Sequence, residues 1–216
     1  KIGIHYNSAV RELKINDSRI TECILENGEI VKSDFYVSAV PYHSFSKMFN
    51  TDEFGNYFEG FVEMKPASIV SVFLVPENMP MDYNHRYYFG MVGILDGLMH
   101  WVFFKKQYVS VTISAPEYTV KGFEDLSKEN ICGKVEAELK QYFPEFRDIK
   151  FKKVKYFREK RATFLPETNS PNSRLDSECK IKNLFIAGDW TNTGLPSTIE
   201  SAVISGRRCL ESIIKV

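Results

Sequence analysis

Apolar positions follow a period of two in the first forty residues. Ile2, Ile4 and Tyr6 alternate with polar neighbours, and Val10, Leu13 and Ile15 extend the pattern to the turn cluster Asn16-Asp17-Ser18. A second strand is predicted over residues 20–25, and Asn27-Gly28 is a hairpin signal. Ile30 and Val31 then lead into residues 35–40, a nearly continuous apolar run of buried-strand type that Pro41 ends. The opening reads as an antiparallel meander followed by a buried strand. Residue 1 is Lys and the first segment is already strand-like, so the expectation is a chain that lacks an N-terminal part.

The middle changes texture. Residues 42–64 read as helical or irregular, 67–75 as a strand stopped by Pro76, and 87–98 as a glycine-interrupted stretch. Residues 99–104 and 108–114 form a hairpin pattern around Lys105-Lys106-Gln107. A helix is predicted over 124–143, because Ile131, Val135, Leu139 and Tyr142 recur at helical spacing before Pro144. Residues 149–157 alternate as a strand, and 168–176 read as a loop. Neither an internal repeat nor a low-complexity tract is visible.

The last third carries the candidate chemistry. Residues 184–187 read as a short buried strand with Gly188-Asp189 at its carboxyl end, followed by a polar loop containing Gly194 and Pro196. A helix starts next, with Ser197-Thr198-Ile199-Glu200 as a capping box and a core stripe of Ile199, Val203, Gly206, Leu210 and Ile213 or Ile214. Gly188 would let the backbone approach an extended ligand, Asp189 would accept from hydroxyls, and Gly206 would allow close packing. The helix start would offer free N–H groups and positive potential to an anion or an electron-rich carbonyl. Taken singly, Asp189 reads as a turn former and Gly206 as a packing glycine; the order and spacing together point to a ligand-binding end.

Composition narrows the function classes. Lys plus Arg and Asp plus Glu are 28 each, so the net charge is zero and no nucleic-acid partner is indicated. Apolar residues at 44% and charged residues at 26% describe an ordered globular chain. The longest apolar runs, Ile69-Val70 and 72–75 around Ser71, fall far short of the roughly 18 residues of a membrane span. The scattered Cys23, Cys132, Cys179 and Cys209 match neither a metal site nor a disulfide framework, and they read as reduced thiols of a cytoplasmic protein. His5, His43, His85 and His100 are isolated. The Lys152, Lys153 and Lys155 cluster reads as a solvated strand face, with a peripheral membrane contact as the other reading.

Residues 187–200, with Ala-Gly-Asp-Trp-Thr, Thr-Gly-Leu-Pro and Thr-Ile-Glu, resemble the C-terminal flavin signature of the flavin amine oxidase and phytoene desaturase superfamily. They look closest to the squalene-associated FAD-dependent desaturases, the hydroxysqualene dehydroxylases. Trp101-Val102-Phe103 leading to Ile113-Ser114-Ala115, residues 158–164 (Arg-Glu-Lys-Arg-Ala-Thr-Phe) and Ser38-Ala39-Val40-Pro41 support the same resemblance. Ser197, where the family commonly has Ala, and Ser201, where it often has Gly, depart from it. A G-x-G-x-x-G turn is absent, since Gly90, Gly93 and Gly97 lack that spacing.

The resemblance implies an α+β chain of α/β affinity: part of an FAD-binding Rossmann-like lobe over 1–44 and 177–216, and a substrate lobe over 45–176 with a mixed or antiparallel sheet. The dinucleotide-binding βαβ unit would be missing. It implies FAD as cofactor, with Gly188 and Asp189 facing the pyrophosphate and ribityl chain, and Thr193, Gly194, Leu195 and Pro196 lining the isoalloxazine. Thr198 and Ile199 would offer amides to the N1–C2=O edge, and Val10 would lie near the adenine. The reaction implied is hydride transfer between flavin N5 and an allylic carbon of an isoprenoid, with Lys160 and Arg161 as candidates near the leaving hydroxyl. A carotenoid desaturase, an amine oxidase and a binding module without redox activity are the alternatives. No metal is implied. Phe73, Tyr87, Tyr88, Phe89, Trp101 and Phe103 are expected either to line an apolar cavity opening toward Gly194 or to form the core of their lobe. Without the glycine turn the chain alone is expected to bind FAD weakly or not at all.

Overall fold

The computed structural model describes residues 2–59, 61, 64–80, 90–168 and 174–215. Its strands, in chain order, are β1 (Val10–Asn16), β2 (Arg19–Leu25), β3 (Ile30–Val31), β4 (Tyr36–Ser38), β5 (Pro66–Pro76), β6 (Met91–Gly93), β7 (Trp101–Phe104), β8 (Val109–Ser114), β9 (Phe151–Phe164) and β10 (Leu184–Ile186). The helices are α1 (Tyr42–Phe45), α2 (Thr51–Tyr57), α3 (Pro116–Thr119), α4 (Lys128–Tyr142) and α5 (Ile199–Ile214). The architecture is α+β. The chain divides into two compact units, residues 1–65 with 166–216, and residues 66–165.

In the first unit, β1, β2 and β3 form an antiparallel sheet in that order. Residues 2–6 do not extend it: Ile2 and Ile4 are exposed and the first strand begins at Val10. Alternation without a partner strand leaves their backbone groups unpaired, so it does not make a strand. A second sheet joins β4 and β10 in parallel, with Tyr36 opposite Leu184 and Ser38 opposite Ile186. Every residue of β10 is buried, whereas Val37 of β4 is half exposed, so the run at 35–40 is covered on one face only.

The boundaries expected at 44/45 and 176/177 are not those of the structure. Phe45 packs against Phe49 at 5.2 Å, Phe58 at 5.1 Å and Trp190 at 5.5 Å between ring centroids, which ties residues 45–58 to the unit that holds the chain termini. Aromatic pairs at these separations add to the area they bury.

The second unit is one antiparallel sheet in the order β6-β7-β8-β5-β9. Alternation sorts its residues by face. Val70, Val72 and Leu74 of β5, with Val109, Val111 and Ile113 of β8, form a core with Ile131, Val135 and Leu139 of α4. The helix starts later than the apolar spacing suggests. Ser127 caps it by accepting from the Asn130 amide at 3.1 Å, and residues 123–125 form a separate 3₁₀ turn. From α4, the Glu138 carboxylate accepts from the amides of Leu98 and Met99 at 2.8–3.0 Å, fixing the segment before β7.

The opposite face of the sheet is open. The pairings place Phe103, Ser110, Phe73 and Lys155 in one cross-strand row and Trp101, Thr112, Ser71 and Phe157 in the next. Phe73, Trp101 and Phe103 therefore lie outside the core of their unit, and Tyr87, Tyr88 and Phe89 lie outside the described residues. Phe73, Val75, Tyr108 and Phe157, edged by Lys153 and Lys155, line a concavity of about 380 Å³ on this face.

Strand β9 runs seven residues beyond the predicted 149–157, to Phe164. It passes through a bulge, because Ile69 pairs Glu159 and Ala67 pairs Thr163, so residues 160–162 face the single residue Ser68. There the Glu117 carboxylate accepts from the Ser68 amide at 2.6 Å and the Ser68 hydroxyl at 2.5 Å, and Arg158 donates to the same hydroxyl at 3.1 Å and bidentately to Glu124. Burial pushes the Glu117 pKa up, but the Ser68 hydrogen bonds and Arg158 outweigh it and leave the carboxyl below its ordinary 4.5.

Two outcomes follow for the second unit. Leu139→Ala, which empties a fully buried site, should cost about 2–5 kcal/mol by urea unfolding, whereas Phe157→Ser on the open face should cost less than about 1 kcal/mol. Glu117 titrates lower folded than unfolded, so its contribution is complete above the ordinary value of 4.5 and is lost as pH falls through the folded pKa. The stability gap between wild type and Glu117→Gln should therefore shrink as pH falls below the ordinary value of 4.5 in acid-titration unfolding.

Candidate functional site

The site is built where β10 ends. Gly188 has φ +151°, and a Cβ there would stand 2.5 Å from Nε1 of Trp190. The indole beneath it requires the glycine. Trp190 is 1% exposed, and its Nε1 donates to the Val40 carbonyl at 3.0 Å. The Gly188 amide donates to Ser205 Oγ of α5 at 2.8 Å. The strand end, the loop and the helix are thereby locked together.

The loop's carbonyls are almost all taken. Arg174 donates to the carbonyls of Asp189 at 2.7 Å, Trp190 at 3.2 Å and Leu195 at 2.5 Å. Arg208 donates to those of Asn192 at 2.6 Å and Thr193 at 3.1 Å. Thr191 donates to the Gly188 carbonyl and accepts from the Thr193 amide. Apart from Gly194, every carbonyl from Gly188 to Leu195 accepts a hydrogen bond among the described residues. The amides of Gly194, Ser197, Thr198, Ile199 and Glu200 donate to nothing among the described residues, and Gly194, Thr198, Ile199 and Glu200 are exposed. Gly194 has φ +82° with open space where a Cβ would project, so it leaves its outer side clear.

The helix cap differs from the one expected. Thr198 is the N-cap, its hydroxyl accepting from the Ser201 amide at 3.2 Å, while the Ser197 hydroxyl donates to Asp189 Oδ2. One Asp189 oxygen is thus held and the other remains an acceptor. The buried face of α5 is also not the expected stripe. Ser201, Ser205 and Cys209 are buried, while Ile199, Val203, Leu210 and Ile214 are exposed. Gly206 is exposed with no neighbour within 4 Å of a Cβ position, so it is not a packing glycine within this structure. Two serines face inward because the loop's backbone needs their hydroxyls, and that polar demand outweighs apolar periodicity.

The structure gathers Gly188, Asp189, Thr193, Gly194, Leu195, Pro196, Thr198 and Ile199 into this one strand-loop-helix segment. Val10 stands at the start of β1, in a different sheet, with no hydrogen bond to the segment among the described residues. Lys160 and Arg161 are exposed on the bulged part of β9, in the other unit. Sequence reasoning missed Arg174, Ser201, Ser205 and Arg208. The paired serines on a helix face facing an Asp-containing turn were the available signal; Arg174 sits in a segment that reads only as loop. Burial lowers the Arg174 pKa and Asp189 opposes that shift, and an arginine stays charged throughout. Among the described residues, no group of three or more His, Cys, Asp or Glu is arranged to hold a metal ion, and no helix is long and apolar enough to cross a membrane. Burial lifts the Cys179 thiol to about 11, and it lies in the segment leading to β10.

Residues 2–214 match the family described as flavin containing amine oxidoreductase, and the chain belongs to that family. It is similar to a hydroxysqualene dehydroxylase of Zymomonas mobilis, 34% identical over 123 residues that make up 54% of this chain and 27% of that protein. A 15-cis-phytoene desaturase of Glycine max is 24% identical over 224 residues, covering 98% of this chain and 39% of that protein. Among solved structures, a putrescine oxidase variant superposes with TM-score 0.65 at 12% identity over 97% of this chain and 49% of that one. A reduced UDP-galactopyranose mutase superposes with TM-score 0.63 at 13% identity over 96% and 46%. The chain thus spans less than half the length of each of these proteins.

The two glycines of the segment should respond differently. Gly188→Ala drives a methyl into the indole at an unfavourable φ and should cost about 2–4 kcal/mol, with a red shift of tryptophan emission. Gly194→Ala meets only the backbone penalty and should cost about 1 kcal/mol in the same unfolding measurement.

Proposed function

We propose that the strand-loop-helix segment is the flavin-ring side of an FAD site, and that the protein is an oxidoreductase acting on a polyprenoid, with hydroxysqualene dehydroxylase-like chemistry. The observation that carries the reading is the row of open amides at Gly194 and Ser197 to Glu200 beside the Asp189 carboxylate. These groups fit a flavin: the amides suit an electron-rich ring edge, and the unheld Asp189 oxygen suits a ribityl hydroxyl. FAD, when bound, supplies hydride chemistry at N5. This chain's residues do the holding. The Thr198 and Ile199 amides would hold the electron-rich ring edge, Thr193 to Pro196 would shape the ring's bed, and Val10 is assigned to the adenine side.

The open sheet face supports an apolar substrate. Phe73, Trp101, Phe103 and Phe157 give apolar wall area for a hydrocarbon chain, with Lys153 and Lys155 at its edge. In this reading Lys160 and Arg161 are the candidates to assist a departing hydroxyl. The apolar stripe of α5 supports a further covering segment, which we assign to a dinucleotide-binding βαβ unit that cradles the pyrophosphate outside these residues. A carotenoid desaturase is the second reading, favoured by the match of phytoene desaturases along 98% of the chain.

In the full-length protein under anaerobic conditions, hydroxysqualene should reoxidise photoreduced FAD and yield squalene and water, while phytoene and primary amines should leave oxidised FAD unbleached; reduction of oxidised FAD by phytoene, with hydroxysqualene inert toward reduced FAD, would replace this reading with the second. Asp189→Ala should weaken FAD about tenfold in a flavin titration.

A further inference from the structure

The same segment poses a question that its flavin-facing residues do not answer: why the loop presents donors and hardly any acceptors. A turn normally shows solvent both kinds of backbone group. Here the carbonyls of Asp189, Trp190 and Leu195 converge on one guanidinium, and those of Asn192 and Thr193 on another. Residues 189 and 195 are six apart in sequence and are brought to the same side chain. Arg174 also approaches Ser201 Oγ at 3.4 Å, which itself donates to the Asp189 carbonyl at 3.2 Å and lies 2.6 Å from Thr193 Oγ1. The clamp therefore reaches the first turn of α5, whose amides are open.

We infer that Arg174 is the positioning residue of the flavin-side loop: its fork gathers both ends of the loop, turns their carbonyls inward and so leaves a donor-rich face toward the flavin, with Arg208 completing the middle. The inference rests on the flavin reading above and goes beyond it by naming a residue that acts on the loop's inward carbonyls and not through the open amides assigned to the ligand. Acceptors pointing outward would oppose an electron-rich ring edge; two cations holding them inward remove that opposition and add positive potential. A lysine would not substitute. Its single ammonium lacks the planar fork that reaches three carbonyls lying in different directions.

The test separates the clamp from the ligand. Hydrogen exchange of the Gly188, Thr191 and Asn192 amides should quicken about tenfold or more in Arg174→Lys and Arg174→Ala, as expected for loss of hydrogen bonds from a charged donor. The Ile186 and Ala187 amides, held by Ser177 and Ser38, should not change. Added guanidinium ion should restore slow exchange to Arg174→Ala. Should Arg174→Ala fail to fold, Arg174→Lys carries the comparison, with Arg208→Ala as the milder variant that frees only the Asn192 and Thr193 carbonyls. In the FAD-loaded protein, Arg174→Lys should release FAD about tenfold faster and shift the flavin's visible band, although the charge is conserved. Unchanged exchange in Arg174→Lys overturns the clamp. Faster exchange with unaltered FAD release and spectrum overturns the assignment of the loop to the flavin.

Discussion

The strand pair, the aromatic cluster and the loop of the terminal unit all depend on one indole lying directly beneath one glycine. Trp190 can be buried where it is only because residue 188 has no Cβ, and the backbone there takes a conformation other residues avoid. Once buried, the ring makes three separate parts of the chain meet. Its nitrogen reaches the Val40 carbonyl after β4, and its faces meet Phe45 and Phe61. The strand pair, the aromatic cluster and the loop thus share a single support. The loop's polar geometry is built on top of this apolar base, and the two arginines act on a backbone whose course the indole has already set.

The other unit obeys a different rule. Its sheet separates by simple alternation into a face of aliphatic residues under α4 and a face of aromatic and short hydroxyl side chains. No special backbone is needed for that, and the charged network around Ser68 accommodates the larger of the two register breaks between β5 and β9.

Much of this was legible in the chain because strand alternation and turn chemistry are local. The β7–β8 hairpin, β5 and β10 all stand close to where period and punctuation put them, and Gly188-Asp189 follows the end of β10 as read. What failed to read were features decided by distant partners. Residues 2–6 alternate like a strand yet have none to pair with. The start of α4 is set by the Ser127 hydroxyl, not by its apolar spacing. The reversed faces of α5 are the clearest case: Ile199, Val203 and Leu210 keep helical period, but the loop's unpaired amide and carbonyl groups claim the inward face for Ser201 and Ser205. Arg174 could not be found from spacing at all, since its partners lie 15 to 21 residues away along an irregular segment.

The outward stripe of α5 has a practical consequence for handling the molecule. Ile199, Val203, Leu210 and Ile214 form a greasy ridge on the surface of a chain whose formal charges cancel at neutral pH. Long-range repulsion between copies is then at its weakest just where an adhesive strip is exposed. Where no further segment covers that ridge, it will govern colloidal stability in concentrated solution, and moving the buffer away from neutrality, or capping the ridge with a mild detergent, addresses the cause directly.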